Sequence, residues 1–187
     1  MKTGRIFWAA MLGFAMTLPA SMASAQLNSG AQTIALNAKL TESLTLTLSA
    51  NTVNFNLSAG SSANAGSTGV TATTAWTLAP GRTSVGVYAY FANAASALND
   101  GAGDNIPSSA FFIADNATAS APLVNSVAFN AGNAGLTLAT IPITATNRSS
   151  SHTDAMIFNI NLSGGTLPQL PAATYTGTLN IQAQVTP

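Results

Sequence analysis

Ser43-Leu44-Thr45-Leu46-Thr47-Leu48-Ser49, followed closely by Thr52-Val53-Asn54-Phe55-Asn56-Leu57, alternates polar and apolar side chains almost without interruption. Successive side chains of an extended chain point to opposite faces, so a period of two puts the three leucines on one side and the hydroxyls on the other. A helix would scatter the same leucines around its circumference. Both runs therefore read as half-buried strands, and threonine at the solvent positions suits a pleated surface.

The same period extends outward in both directions. Upstream, Ile34, Leu36, Ala38 and Leu40 alternate with Ala35, Asn37 and Lys39. Downstream, Val70, Ala72, Thr74, Trp76 and Leu78 make one face, and Val85, Val87, Ala89 and Phe91 the next, with Tyr88 and Tyr90 on the opposite parity. Further runs cover Ala110 to Ala114, Leu123 to Phe129, Leu136 to Ala145, Met156 to Leu162 and Tyr175 to Val185. Turn-forming residues separate them: Ala59 to Gly69, Pro80-Gly81, Asn99 to Pro107, Asn130 to Gly135, Arg148 to Ser151 and Gly164 to Pro171. No helical stripe of i, i+3, i+4, i+7 spacing is present after the first 25 residues. About nine or ten short strands of this kind predict an all-β protein, an immunoglobulin-like antiparallel β-sandwich, with a closed barrel as the second choice.

The first 25 residues have the form of a secretory signal peptide. Lys2 and Arg5 precede an uncharged, mostly apolar run from Ile6 to Leu18, and Ala23-Ser24-Ala25 offers a small-x-small cleavage site. That run of 13 residues is shorter than the roughly 20 needed to span a bilayer. The expected mature chain begins near Gln26, has one domain and no membrane span, and works outside the cytoplasm, at the cell surface or beyond it. Lys39, Arg82 and Arg148 stand against Glu42, Asp100, Asp104, Asp115 and Asp154, a net charge of about −2 with no basic stripe. Nucleic acid is thus not an expected partner. With no cysteine, an exported chain of this kind has no disulfide staple, and its stability must come from a packed core or from a partner.

Catalytic material is sparse, and no enzyme and no cofactor are expected. His152 is the single histidine and lies within Ser149-Ser150-Ser151-His152-Thr153-Asp154, where a triad would need its members oriented in space rather than adjacent in sequence. The expectation is a solvated loop histidine. Among the five acids, nothing in their spacing brings two together as a hydrolytic pair. One histidine and no cysteine leave zinc without ligands. Asn99-Asp100-Gly101-Ala102-Gly103-Asp104-Asn105 gathers oxygen ligands that calcium could use, but it reads better as an Asx/Gly turn. Trp76 shares parity with Val70 and Leu78 and belongs to the core. Tyr88 and Tyr90 face away from it and could form a contact with another molecule.

Two segments carry a family resemblance. The first is Ile34-Ala35-Leu36-Asn37-Ala38-Lys39-Leu40, then Ser43 to Ser49, then Thr52-Val53-Asn54-Phe55-Asn56-Leu57. The second is Leu170-Pro171-Ala172-Ala173-Thr174-Tyr175-Thr176-Gly177-Thr178-Leu179-Asn180-Ile181-Gln182-Ala183-Gln184-Val185. Together they resemble the two ends of subunits of archaic chaperone–usher pili and the related spore coat protein U family. One departure is that family members commonly carry a cysteine just after the N-terminal strand, where this chain has Ser43-Leu44.

The resemblance implies a division into a signal peptide (residues 1–25), an N-terminal donor-type segment (26–42) and a sandwich domain (43–187). It implies donor-strand complementation: the sandwich lacks its last strand, and Ile34, Leu36, Ala38 and Leu40 of a neighbouring subunit fill the gap. The implied partners are copies of the same chain, a periplasmic chaperone and an outer-membrane usher. The function expected is a structural subunit of an extracellular pilus- or fimbria-like filament. The alternative is a self-contained secreted sandwich, an adhesin or glycan-binding module, with Ile34 to Leu40 paired inside its own domain.

Overall fold

The computed structural model describes residues 29–187, apart from the side chains of residues 130 and 131. The expected signal peptide and cleavage site lie outside the described residues. Two units are distinguished, residues 1–38 and 39–187. Residues 29–42 take part in no strand, bridge or helix.

Twelve strands follow. They are β1 (Ser43–Leu48), β2 (Asn64–Ala65), β3 (Val70–Thr77), β4 (Ser84–Tyr90), β5 (Leu98–Asn99) and β6 (Asn105–Ile106). The second half of the chain adds β7 (Phe111–Asp115), β8 (Ala121–Pro122), β9 (Asn125–Val127), β10 (Asn130–Pro142), β11 (Ser149–Ile160) and β12 (Asn180–Thr186). All their pairings are antiparallel. The larger sheet has the order β1-β3-β11-β7-β8, with β2 also on β11, the second the order β12-β4-β10-β9, and β5 and β6 form a separate two-stranded sheet. The fold is an all-β antiparallel sandwich. The two main sheets, each with open ends, exclude the closed barrel.

The core faces are those that the period of two selects. Val70, Ala72, Thr74 and Trp76 of β3 are buried, as are Val85, Val87 and Ala89 of β4. Trp76 donates its indole N–H to the carbonyl of Asn147 at 2.9 Å, so this large core side chain keeps its one polar atom satisfied. The threonines of β1 and, apart from Thr74, those of β3 lie on the outer face, where Thr45 and Thr47 donate to the carbonyls of Ala75 and Thr73 across the ladder.

A clamp stands at the entry to β1. The guanidinium of Arg82 binds both carboxylate oxygens of Glu42, at 3.0 and 2.9 Å, and the backbone N–H of Ala79 donates to the same group. The hydrogen bond from Arg82 is the foremost reason that the Glu42 carboxyl falls to about 2. The clamp fixes the entry to β1 against the turn after β3.

Two expected boundaries need correction. Residues 130–135, read as a turn, are the first half of β10, because a ladder with β9 and β4 claims them. Residues 149–154, read as a loop, belong to β11, since Ser149 to Met156 pair in unbroken register with β3 from Thr77 to Val70. Serine and threonine lowered the apparent alternation there, yet they supply the outer face while His152, Asp154 and Met156 share the core parity.

Candidate functional site: an open groove between the sheets

The sandwich is incomplete along one side. The chain leaves β1 and continues as residues 50–57, whose Val53, Phe55 and Leu57 turn inward against the core while the asparagines between them are exposed. This segment pairs on one side only: Phe55 bridges Gly66, and Asn54 accepts a backbone hydrogen bond from Ser67 at 2.8 Å. Residues 173–179 lead into β12 and are likewise tied on one side, through reciprocal bonds of 2.9 and 2.8 Å between Asn99 and Thr176. Among the described residues no backbone hydrogen bond joins the two segments.

Between them lies a groove of about 760 Å³. Phe111 is central to its floor, with its ring centroid 5.7 Å from Phe55, 5.1 Å from Phe91 and 5.9 Å from Phe158. Met156 and Ile160 continue the floor along β11. The floor is apolar and aromatic, the rims add asparagine and threonine such as Asn54 and Thr176, and no charged side chain lines the groove. Chemically such a site can bury apolar side chains and pair with an extended backbone, because each rim segment has one unpaired edge.

The rim depends on a close approach at Gly177. A Cβ there would collide with the carbonyl oxygen of Ala97, a backbone atom held in place by the hairpin of β5 and β6. Gly177→Ala is expected to push residues 173–179 outward, break the Asn99–Thr176 bridge and cost about 1–3 kcal/mol. Chemical denaturation gives the loss, and faster amide exchange at Thr176 and Asn99 locates it.

The residues expected to act as a donor strand are all at the surface. Ile34 is 85% exposed, Leu36 90% and Leu40 85%, and Ala38 is exposed as well. The exposures of Ile34, Leu36 and Leu40 are the largest among the described large hydrophobics, and so many bare apolar side chains in one short stretch are an uncommon arrangement in a folded chain.

Other expectations meet the structure as follows. Tyr88 and Tyr90 do lie on the outer face of their sheet, but they are half-buried, packed on Phe129 at centroid distances of 5.9 and 6.1 Å. Asp100 accepts backbone hydrogen bonds from Ala102, Gly103 and Asp104, at 2.8, 3.1 and 3.0 Å, which is an Asx turn. Backbone N–H donation, first from Ala102, lowers its carboxyl. Among the described residues no group of three His, Cys, Asp or Glu side chains could hold a metal ion, and no helix is long and apolar enough to cross a membrane.

His152 and Asp154 are not in a solvated loop. They sit on the core parity of β11, His152 half-buried and Asp154 fully buried, with Nε2 of His152 3.0 Å from Oδ1 of Asp154. Asp115, the last residue of β7, lies on the same face, opposite Met156. The structure thus brings together two acids that sequence spacing kept apart. Nothing beside them offers an activated nucleophile: Thr74, whose hydroxyl is buried, is the residue opposite His152.

No protein-family model, no curated protein and no solved structure matches the chain.

Proposed function

We propose that this chain is a structural subunit of an extracellular pilus- or fimbria-like filament, assembled by donor-strand complementation. The observation that carries the proposal is a match within one chain. A groove with an apolar floor and two half-paired rims coexists with an unpaired, exposed segment whose apolar side chains alternate in sequence. Seven residues from Ile34 to Leu40 extend about 23 Å, and the eight residues of rim 50–57 about 26 Å, so the lengths agree. A strand from the next copy would add backbone bonds to the open rims, and alternate side chains would enter the groove, the general mode of β-augmentation.

The energetics suit permanent assembly. Burying Ile34, Leu36 and Leu40 contributes about 1.5–3 kcal/mol each, and with a smaller share from Ala38 the total is roughly 5–9 kcal/mol before ordering costs. A domain's whole stability is about 5–15 kcal/mol, so an unfilled groove leaves a subunit that needs protection. A periplasmic chaperone and an outer-membrane usher are the partners that such a subunit would require on its way to the surface.

The exported chain is expected to run as a ladder of multimers in mild, unheated detergent, and negative-stain microscopy of sheared cell-surface material should show filaments that react with an antibody to it. A clean monomer, with residues 34–40 protected from exchange, would instead favour the self-contained adhesin or glycan-binding module.

A further inference from the structure

Three buried side-chain polar atoms have no hydrogen-bond partner among the described residues: Oγ1 of Thr74, Oδ1 of Asp115 and Oδ2 of Asp154. All three belong to one patch of the core. In register, Thr74 stands opposite His152, Ala72 opposite Asp154, and Asp115 opposite Met156. All these residues share the inward parity of their strands. Asp154 has no exposed surface and Asp115 keeps only 9%.

The remaining carboxylate oxygens are satisfied. Oδ1 of Asp154 is 3.0 Å from the imidazole of His152, and Oδ2 of Asp115 accepts from the side-chain amide of Asn116 at 3.2 Å. Each acid therefore has one satisfied and one orphaned oxygen. Two buried carboxylates side by side cannot both stay ionised cheaply, whereas one proton between them turns two orphans into a donor and an acceptor.

We propose that Asp115 and Asp154 share one proton in the folded domain and form an acidity-tuned latch between β7 and β11, which tightens the core in mildly acidic surroundings. β11 carries the latch at Asp154 and then the groove floor at Met156, Phe158 and Ile160. The latch is a property of the single chain and does not rest on the filament reading.

No other ionisable group competes with the pair. β3, β8, β10 and β12 contain no titratable residue, and the tyrosines of β4 are on its outer parity. His152 is the one cation acting on the acids. Burial above all, then the charge of Asp154, lifts the Asp115 carboxyl to about 6, and burial also raises Asp154, while His152 pulls both down. A carboxyl raised in the folded state means that the folded domain holds a proton the unfolded chain has released. Stability is then complete below the unfolded value of about 3.9 and falls as pH rises through the folded value. The Glu42 clamp has the opposite sign, because its carboxyl is lowered to about 2, and it loses its contribution only as pH falls below about 4.5. The two windows are separate.

The test is urea unfolding of the full exported chain, at one protein concentration, between about pH 5 and about pH 7.5. The folded-to-unfolded ratio is expected to drop about tenfold across that range, because one proton released on unfolding changes the ratio about tenfold per pH unit until the folded value is passed. Asp115→Asn supplies a permanent N–H donor in place of the proton, so the drop should vanish and the variant should keep at the higher pH the stability that the parent has at the lower. Asp154→Asn should do the same, and it serves if the first variant does not fold. An imidazole titrates in the same range, so His152→Gln is the control and should keep the drop. A parent whose stability is flat or rises with pH overturns the latch. So does an asparagine variant that keeps the full drop, or a drop that disappears only in His152→Gln. Restoration of the parent's stability at the higher pH by added calcium or magnesium would also overturn it, by making the pair a cation site.

Discussion

Leu36→Asp is expected to give a subunit that folds, is exported and does not polymerise. Leu36 is 90% exposed in the single chain, so the substitution removes no contact inside the domain. In a filament its side chain would enter a groove lined by phenylalanine and aliphatic groups without one charged partner. The lost burial, about 1.5–3 kcal/mol, adds to the cost of an unpaired carboxylate. Every 1.4 kcal/mol is about a tenfold change in affinity, so subunit association should weaken by at least about a hundredfold. Asn37→Asp, one residue along, has the opposite parity and should be nearly silent. A strand seated one residue out of register would exchange the two results, because each slip turns every side chain to the other face. Deleting residues 26–40 should have the effect of Leu36→Asp, and the truncated domain should accept a synthetic peptide of residues 34–40. Sizing by light scattering reads all three variants. A deleted protein that unfolds and that the peptide cannot rescue would make the strand an internal one.

Phe111→Ala should produce the largest loss of stability. Its ring touches those of Phe55, Phe91 and Phe158, which come from the rim, the residue after β4 and the last part of β11. Removing a phenylalanine from such a position costs about 3–5 kcal/mol, through lost burial and the cavity that remains. That is a large part of a whole domain's stability. Because the cavity would open beneath the groove, donor-peptide affinity should fall as well. A conserved midpoint of urea unfolding in Phe111→Ala would mean that the floor is not packed as described.

The strands that were legible in the sequence are those where one face is apolar and the other polar. β3 and β4 show this directly, their buried side chains being the ones that alternation selects, and β1 half-buries Leu44 and Leu46 on the selected face. β11 was only half legible. Its first turns of alternation are serine against serine and histidine against threonine, so the period of two is present without the contrast that reveals it. The loop reading of His152 and Asp154 followed from that loss of contrast, and with it the solvated histidine. Burial of a charged pair depends on a neighbour from β7, and no local pattern announces it. The strand-like character of Ile34 to Leu40 was equally plain, but its partner was not. A groove is made by segments distant in sequence, and the signal that could have found it is faint. Val53, Phe55 and Leu57 carry strong inward side chains in a stretch whose asparagines lack the β-branching expected of a central strand.

The Glu42 clamp has a further consequence, for proteolysis. After the expected cleavage site a trypsin-like protease has three basic residues to attack, Lys39, Arg82 and Arg148. The Arg82 side chain is held by both oxygens of Glu42, and the carbonyl of Arg148 is engaged by the backbone of Leu78 at 2.8 Å. Lys39 stands alone among the three, exposed in a stretch with no strand or bridge. Limited digestion of a free subunit is therefore directed to a single bond, three residues before the clamp, and it separates Ile34, Leu36 and Ala38 from an intact sandwich. If that stretch is laid into a neighbouring sheet, as proposed, the same bond is expected to be presented as paired strand and to resist cutting. One protease would then distinguish free from incorporated subunits, and each cut would leave a chain that can still receive a neighbour but no longer reach one.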